Sequence, residues 1–161
     1  MSEPRWLTAD EQRTWRAYLA ATKVVSERLD RQLQRDAGMP TAYYEILVAL
    51  SEADGGELRM SELAAFTRSS RSRLSHAIAR LEQNGWVTRR SCPTDKRGAF
   101  ATLTEAGLAT LVSAAPGHVG EVRAALLDAL TANQVRHLGE IMATVGEHAS
   151  AGCPAASCDD D

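Results

Sequence analysis

Apolar positions recur along this chain mostly at helical spacing. Trp15, Tyr18, Leu19, Thr22, Val25, Leu29 and Leu33 lie three or four residues apart and form one face of a long helix over about 8–36. Gly38 and Pro40 stop it. Tyr43, Ile46, Leu47 and Leu50 predict a second helix that ends before the Gly55-Gly56 turn. Ser61 is a suitable N-cap for a short third helix through Leu63, Ala64 and Phe66. After the polar break Thr67-Arg68-Ser69-Ser70, the spacing of Leu74, Ala77, Ile78 and Leu81 predicts a fourth helix from roughly Arg71 to Asn84, closed by Gly85.

The period then changes. Trp86-Val87-Thr88 and Ala99-Phe100-Ala101-Thr102-Leu103 read as strands, joined by the turn-rich stretch from Ser91 to Gly98 into a hairpin with a charged tip. Thr104 can cap a fifth helix to about Ala115, where Pro116-Gly117 is expected to break or kink it. Val119, Val122, Leu126 and Leu130 are expected to continue as helix beyond the break. His118 would then stand at a helix start, where the dipole disfavours a cation and so favours neutral imidazole. Thr131 and Gln134 form a capping box that opens a last helix carrying Val135, Leu138, Ile141, Met142 and Val145. Residues 149–161 are small, polar and acidic, and are expected to be a disordered tail.

This order predicts a mainly α fold with a small β-hairpin wing, a winged helix-turn-helix with additional helices at both ends. A chain of 161 residues is about one domain, and 44% hydrophobic with 24% charged residues excludes disorder throughout. No apolar run approaches the roughly 18 residues of a membrane span, and no apolar signal core opens the chain, so a soluble cytoplasmic protein is expected. Cys92, Cys153 and Cys158 are too few and too unevenly spaced for a disulfide framework.

A net charge of −3 hides a segregated distribution. Residues 1–56 hold seven Lys/Arg against nine Asp/Glu, 57–104 nine against four, and 105–161 two against eight. The basic block coincides with the helix-turn-helix and hairpin, as expected where one part of a protein meets phosphate. Opposite the apolar stripe of the fourth helix stand Ser72, His76, Ala79 and Gln83, with Arg73, Ser75 and Arg80 beside them. Arg73 suits a bidentate contact to guanine and His76 donation to a base or a phosphate; the sequence leaves both open. Arg71, Arg73 and Arg80 as a merely solvated surface is the plain alternative. Arg89 and Arg90, on alternate faces of a strand, cannot both meet DNA.

Other chemistries find little support. There is no His-Glu-x-x-His, no Gly-x-Ser-x-Gly and no phosphate-binding glycine loop, and His76, His118, His137 and His148 are scattered, so neither an enzyme nor a cofactor is expected. His148, Cys153 and Cys158 lack the tight spacing of a structural zinc site, and no metal is expected. A winged helix used for protein–protein contact fits the fold, but it would not need a basic helix and a basic wing together.

Arg59-Met60-Ser61-Glu62-Leu63-Ala64, Ser69 to Ser75, Leu81-Glu82-Gln83-Asn84-Gly85-Trp86-Val87-Thr88-Arg89-Arg90, Asp95-Lys96-Arg97 and Leu103-Thr104-Glu105-Ala106-Gly107 follow one another over residues 59–104. In that order and spacing they resemble the DNA-binding core of the MarR family of bacterial transcription regulators. With the flanking helices the resemblance extends over about 6–148. It implies that Ser70 caps a recognition helix begun by Arg71 to His76, that Asp95 supports the wing, and that Arg97 enters a minor groove. A carboxylate two residues from that arginine can hold it by a charge-assisted bond. The expected DNA contacts are Ser70, Arg71, Ser72, Arg73, Ser75, His76, Arg80, Arg89, Lys96 and Arg97.

The resemblance also implies one domain over 1–148, with a winged helix at about 42–104 and dimerisation helices at about 8–36 and 105–148. A homodimer of this kind would act on a palindromic site, as a repressor released by a small aromatic or phenolic molecule. Trp15, Tyr18, Tyr44 and His118 are the candidate lining of the effector pocket, although aromatic residues at helical spacing are commonly core. Peroxide-sensing members use a cysteine in the first helix, which this chain lacks.

Overall fold

A computed structural model describes residues 4–91 and 98–151, and among them are six α-helices and three strands. In chain order these are α1 (Ala9–Ala37), α2 (Thr41–Glu52), β1 (Glu57–Arg59), α3 (Met60–Phe66), α4 (Arg71–Gln83), β2 (Val87–Ser91), β3 (Ala99–Leu103), α5 (Glu105–Ala125) and α6 (Ala132–Ala151). The chain falls into two compact units, one through Val122 and one from Arg123 onward. None of the described helices is long and apolar enough to cross a membrane.

In the first unit, local capping sets the helix ends. The Glu11 N–H donates to Thr8 Oγ1 at 3.3 Å while Glu11 Oε2 accepts the Thr8 N–H at 2.7 Å, a reciprocal cap that begins α1 and holds the Glu11 carboxyl below its usual range. Gly38, with φ +63°, ends it in the left-handed conformation. Asp30 of α1 then accepts both the N–H and the hydroxyl of Thr41, at 2.9 and 3.1 Å, tying α2 back onto α1. Leu33, Met39, Leu47, Leu50, Leu63, Leu74, Ile78, Leu81, Val87 and Ala101 form one core with Leu111 and Ala114 of α5. Three of the four apolar positions expected to face inward on α4 are fully buried.

The wing is larger than the expected hairpin. β3 lies between β1 and β2, antiparallel to both, with Arg59 and Arg90 each opposite Phe100 and with Leu58 and Arg89 each opposite Ala101. β1 escapes sequence reading because three residues cannot display an alternation. β2 continues to Ser91, beyond the expected end at Thr88, because β3 supplies ladder partners for every residue through Ser91. The start of α3 also differs: Glu62 reaches back to the Arg59 N–H at 3.1 Å, so Arg59, rather than Ser61, stands at the cap.

Pro116 neither ends nor divides α5, which runs unbroken to Ala125. Proline removes one helical N–H, and the neighbouring turns evidently tolerate that loss here. Gly117 lies close to α1, where a β-carbon would stand 3.1 Å from Gln32 Nε2 and would require that side chain to shift slightly. His118 is accordingly mid-helix.

In the second unit, Leu126 leaves helical geometry at φ −134° and Leu127–Ala129 form a single 3-10 turn, so Leu126 and Leu130 do not continue α5. The Thr131–Gln134 box forms as expected, with Gln134 N–H to Thr131 Oγ1 at 3.3 Å and Thr131 N–H to Gln134 Oε1 at 2.9 Å. Residues 149–151, expected in the tail, belong to α6. Apolar faces remain open on both α1, at Trp15, Tyr18 and Leu19, and α6, at Val135, Ile141, Met142 and Val145.

Candidate nucleic-acid interface

The turn between α3 and α4 presents the start of α4 to solvent. Arg68 occupies this turn at φ +49°, a left-handed backbone that L side chains rarely adopt. Ser70 caps α4, its hydroxyl accepting the Arg73 N–H at 3.3 Å. With Leu74, Ile78 and Leu81 drawn into the core, Arg71, Ser72, Arg73, Ser75, His76 and Arg80 are all exposed, and Ala79 is half-buried.

These cations differ in how they are held. Arg80 donates to Gln83 Oε1 at 3.1 Å, along its own helix. Arg68, Arg71 and Arg73 have no ion-pair partner among the described residues. In the wing, Arg89 is paired with Glu82 at 2.6 Å, and Arg90 is bidentate to Glu57 at 2.5 and 2.7 Å while its guanidinium lies 4.7 Å from the Phe100 ring centre. Arg59 stacks on the same ring at 5.1 Å. The bonds from Arg90, and then from the Thr102 hydroxyl at 2.8 Å, hold the Glu57 carboxyl below its usual range.

Glu57, Glu82, Phe100 and Arg68 were not singled out from sequence. Their roles depend on strand order and helix-to-strand packing, which no local spacing reports. Asp95, Lys96 and Arg97, the expected wing tip, lie outside the described residues, as do Cys92, Cys153 and Cys158. Among the described residues no three His, Cys, Asp or Glu side chains are grouped to hold a metal.

The four candidate effector residues form two separate pairs. Trp15 and Tyr18 stack at 5.7 Å on the open face of α1. Tyr44 of α2 and His118 of α5 meet at 4.5 Å. Burial pushes the Tyr44 phenol up and the His118 imidazole down, so neutral His118 follows from desolvation and not from a helix terminus. One turn of chain away, a cavity of about 380 Å3 lies between α1 and α5, lined by Gln32, Asp36, Thr110, Ser113 and Gly117 among others. Gln32 is 3% exposed and donates to Asp36 at 3.0 Å, but among the described residues neither its Oε1 nor His118 Nδ1 has a hydrogen-bond partner.

A sequence model described as MarR family matches residues 37–98, from the end of α1 to the residue before β3. The solved structure of Sco3205 from Streptomyces coelicolor, a MarR family transcriptional regulator in complex with DNA, is 57% identical and superposes with a TM-score of 0.88 over 92% of both chains. The chain belongs to the MarR family. AbsC, another MarR family regulator of Streptomyces coelicolor, is 42% identical with a TM-score of 0.86 over 92% of this chain and 99% of that one. MhqR of Bacillus subtilis, a helix-turn-helix transcriptional regulator, is 22% identical over 129 residues, 80% of this chain and 86% of its own length. As a MarR-family transcriptional regulator the protein is not an enzyme, and its winged helix-turn-helix is the family's own fold.

Proposed function

We propose that this protein binds duplex DNA sequence-specifically as a homodimer and represses transcription from a palindromic operator until a small aromatic or phenolic molecule releases it. The observation that carries the reading is the exposed start of α4, where Arg71 and Arg73 stand without ion-pair partners among the described residues, beside Ser72, Ser75 and His76. Cations left unpaired on one face of an otherwise acidic protein favour a polyanion as the partner. Sco3205, 57% identical, was crystallised on DNA, and YetL of Bacillus subtilis, 29% identical over 89 residues, is a repressor.

In this reading α4 lies in the major groove, and Arg97, supported by Asp95 and flanked by Lys96, enters the minor groove beside it. The winged helix takes up about 42–104 of a domain spanning 1–148. The open apolar faces of α1 and α6 are covered by a second copy, and two-fold symmetry places half-sites about 10 bp apart. The effector occupies the region of Tyr44 and His118, where buried Gln32 Oε1 and His118 Nδ1 remain available to a polar ligand group.

Selection of bound sequences from random duplex DNA tests the central statement. A palindromic motif with half-sites about one turn apart is expected. Failure to enrich any duplex at moderate salt would replace this reading with that of a winged helix serving protein–protein contact.

A further inference from the structure

A basic groove lies under the wing and shares Arg71 and Ser75 with the exposed start of α4. The groove, of about 450 Å3, runs between the starts of α3 and α4 and the hairpin, and its lining includes Ser61, Arg71, Ser75, Arg89 and Ala99. Strand alternation explains which wing arginine reaches it. Arg89 is paired with the fully buried Ala101 and so turns toward α4, whereas Arg90 is paired with Phe100 and turns to the other face.

On the inner side Glu82 holds Arg89 in two ways. Its Oε1 accepts the Arg89 backbone N–H at 3.0 Å, and its Oε2 lies 2.6 Å from Arg89 Nε. A guanidinium carries five N–H donors in one plane, so this pairing engages its stem-side edge and leaves the Nη groups for a second acceptor. Arg71 lines the same groove, and Ser61 and Ser75 add two hydroxyls. Arg59, stacked on Phe100, also lines the groove; the Arg71 and Arg89 guanidiniums with the two hydroxyls are a donor set for the non-bridging oxygens of a phosphodiester.

We propose that this groove seats one phosphate of the DNA backbone, shared between Arg71 and Arg89, and that Glu82 is the positioning residue that aims Arg89 at it. The inference rests on the DNA-binding reading above. It makes Arg89 an anchor and not a reader of bases, and it gives adjacent wing arginines different tasks, since Arg90 is bound to Glu57 and Phe100. An open groove larger than one phosphate group suits a strand edge passing through it better than a free anion.

The test uses the full-length protein and its selected duplex, with a neutral methylphosphonate placed at each backbone position in turn. Wild type is expected to lose about tenfold in affinity at one position in each half-site, the loss of one charge-assisted contact. Arg71→Ala and Arg89→Ala should each lose part of the sensitivity at that same position, and the double variant all of it. Because both meet one phosphate, either arginine alone still neutralises it, so each single variant should leave the slope of log affinity against log salt nearly unchanged and the double variant should lower it by about one. Glu82→Gln keeps an acceptor for the backbone N–H but loses the charge; it should blunt the effect at that position while the unfolding temperature and the selected sequence stay unchanged.

Different positions for the two arginines, a salt slope lowered by about two in the double variant, or a Glu82→Gln effect spread over all positions would overturn the seat. So would displacement of DNA by inorganic phosphate at constant ionic strength, which would mark a free-anion site. If no duplex is selected at all, the DNA reading itself falls and takes the seat with it. A selected duplex with a flat methylphosphonate scan removes the seat alone.

Discussion

A β-carbon on Gly107 would stand 2.1 Å from the carbonyl oxygen of Trp86. That carbonyl accepts the Thr104 N–H at 3.1 Å, while the Thr104 hydroxyl donates to Gly85 O at 2.7 Å and accepts the Gly107 N–H at 3.0 Å. The base of the wing and the first turn of α5 are therefore joined backbone to backbone, with no room for a side chain. Gly107→Ala must push them apart and should destabilise the fold by about 1–3 kcal/mol or more. Thr104→Val strands a carbonyl and an N–H and should cost about 1–3 kcal/mol. Urea unfolding measures both, and an unchanged midpoint for Gly107→Ala would show that the contact can open freely.

Stability should depend on pH through His118. Its imidazole is held below the usual range by burial, so in mildly acid solution the unfolded chain takes up a proton that the folded one refuses. Nothing is contributed above the unfolded value of about 6.5, and stability declines as pH falls through and below it. The Asp36 and Glu57 carboxyls are also depressed, by hydrogen bonds from Arg35 and Arg90 respectively, and their contribution, full above the ordinary carboxylate range, is lost as pH falls through that range and below it. His118→Gln should flatten the decline between pH 7.5 and 5.5. Parallel pH dependence in the variant and wild type would exclude His118 as its source.

Arg73 and Arg97 should fail differently. Arg73→Ala is expected to cost about 1–3 kcal/mol on the selected site and to relax preference at one position in each half-site. Arg97→Ala should weaken binding most where the flanks are A·T-rich and the minor groove narrow, with major-groove preference intact. Titrations on cognate, flank-swapped and unrelated duplexes at two salt concentrations distinguish the two. Equal, sequence-independent losses would mean that both are backbone anchors.

The open face of α1 predicts the assembly. Trp15 and Leu19 are 51% and 45% exposed in the single chain, and a Trp15→Glu, Leu19→Glu variant should sediment as a monomer or aggregate and lose two-half-site protection. A soluble variant dimer with intact protection would place the interface elsewhere.

Arg68 offers a test of backbone strain. Holding a non-glycine residue at φ +49° costs on the order of 1 kcal/mol, so Arg68→Gly should raise stability by up to about that amount while Arg68→Ala leaves it nearly unchanged. Thermal unfolding of the two variants decides it, and equal stabilities would mean the turn is unstrained.

Local chemistry was legible in the chain. The Thr131–Gln134 box, the Gly38 stop and the inward stripe Leu74, Ile78 and Leu81 stand as their spacing predicts, and the Ser70 cap as the resemblance implies, because each is decided within about one or two turns of helix. Pro116 departs from its expected role for the same reason: its local effect is to weaken a helix, and only the surrounding turns of α5 decide whether the helix survives.

The sequence by itself determined the helices through α4 with the hairpin after them, the basic block and the residues that open α4, but not β1 or the course of α5. Tertiary structure alone decided which arginines of that block are already engaged. Glu57 meets Arg90 across 33 residues only because β3 lies between β1 and β2, and Glu82 meets Arg89 only because β2 turns back along α4. Such pairings carry no period along the chain. They follow from strand order and pleat, which exist only once the core has closed.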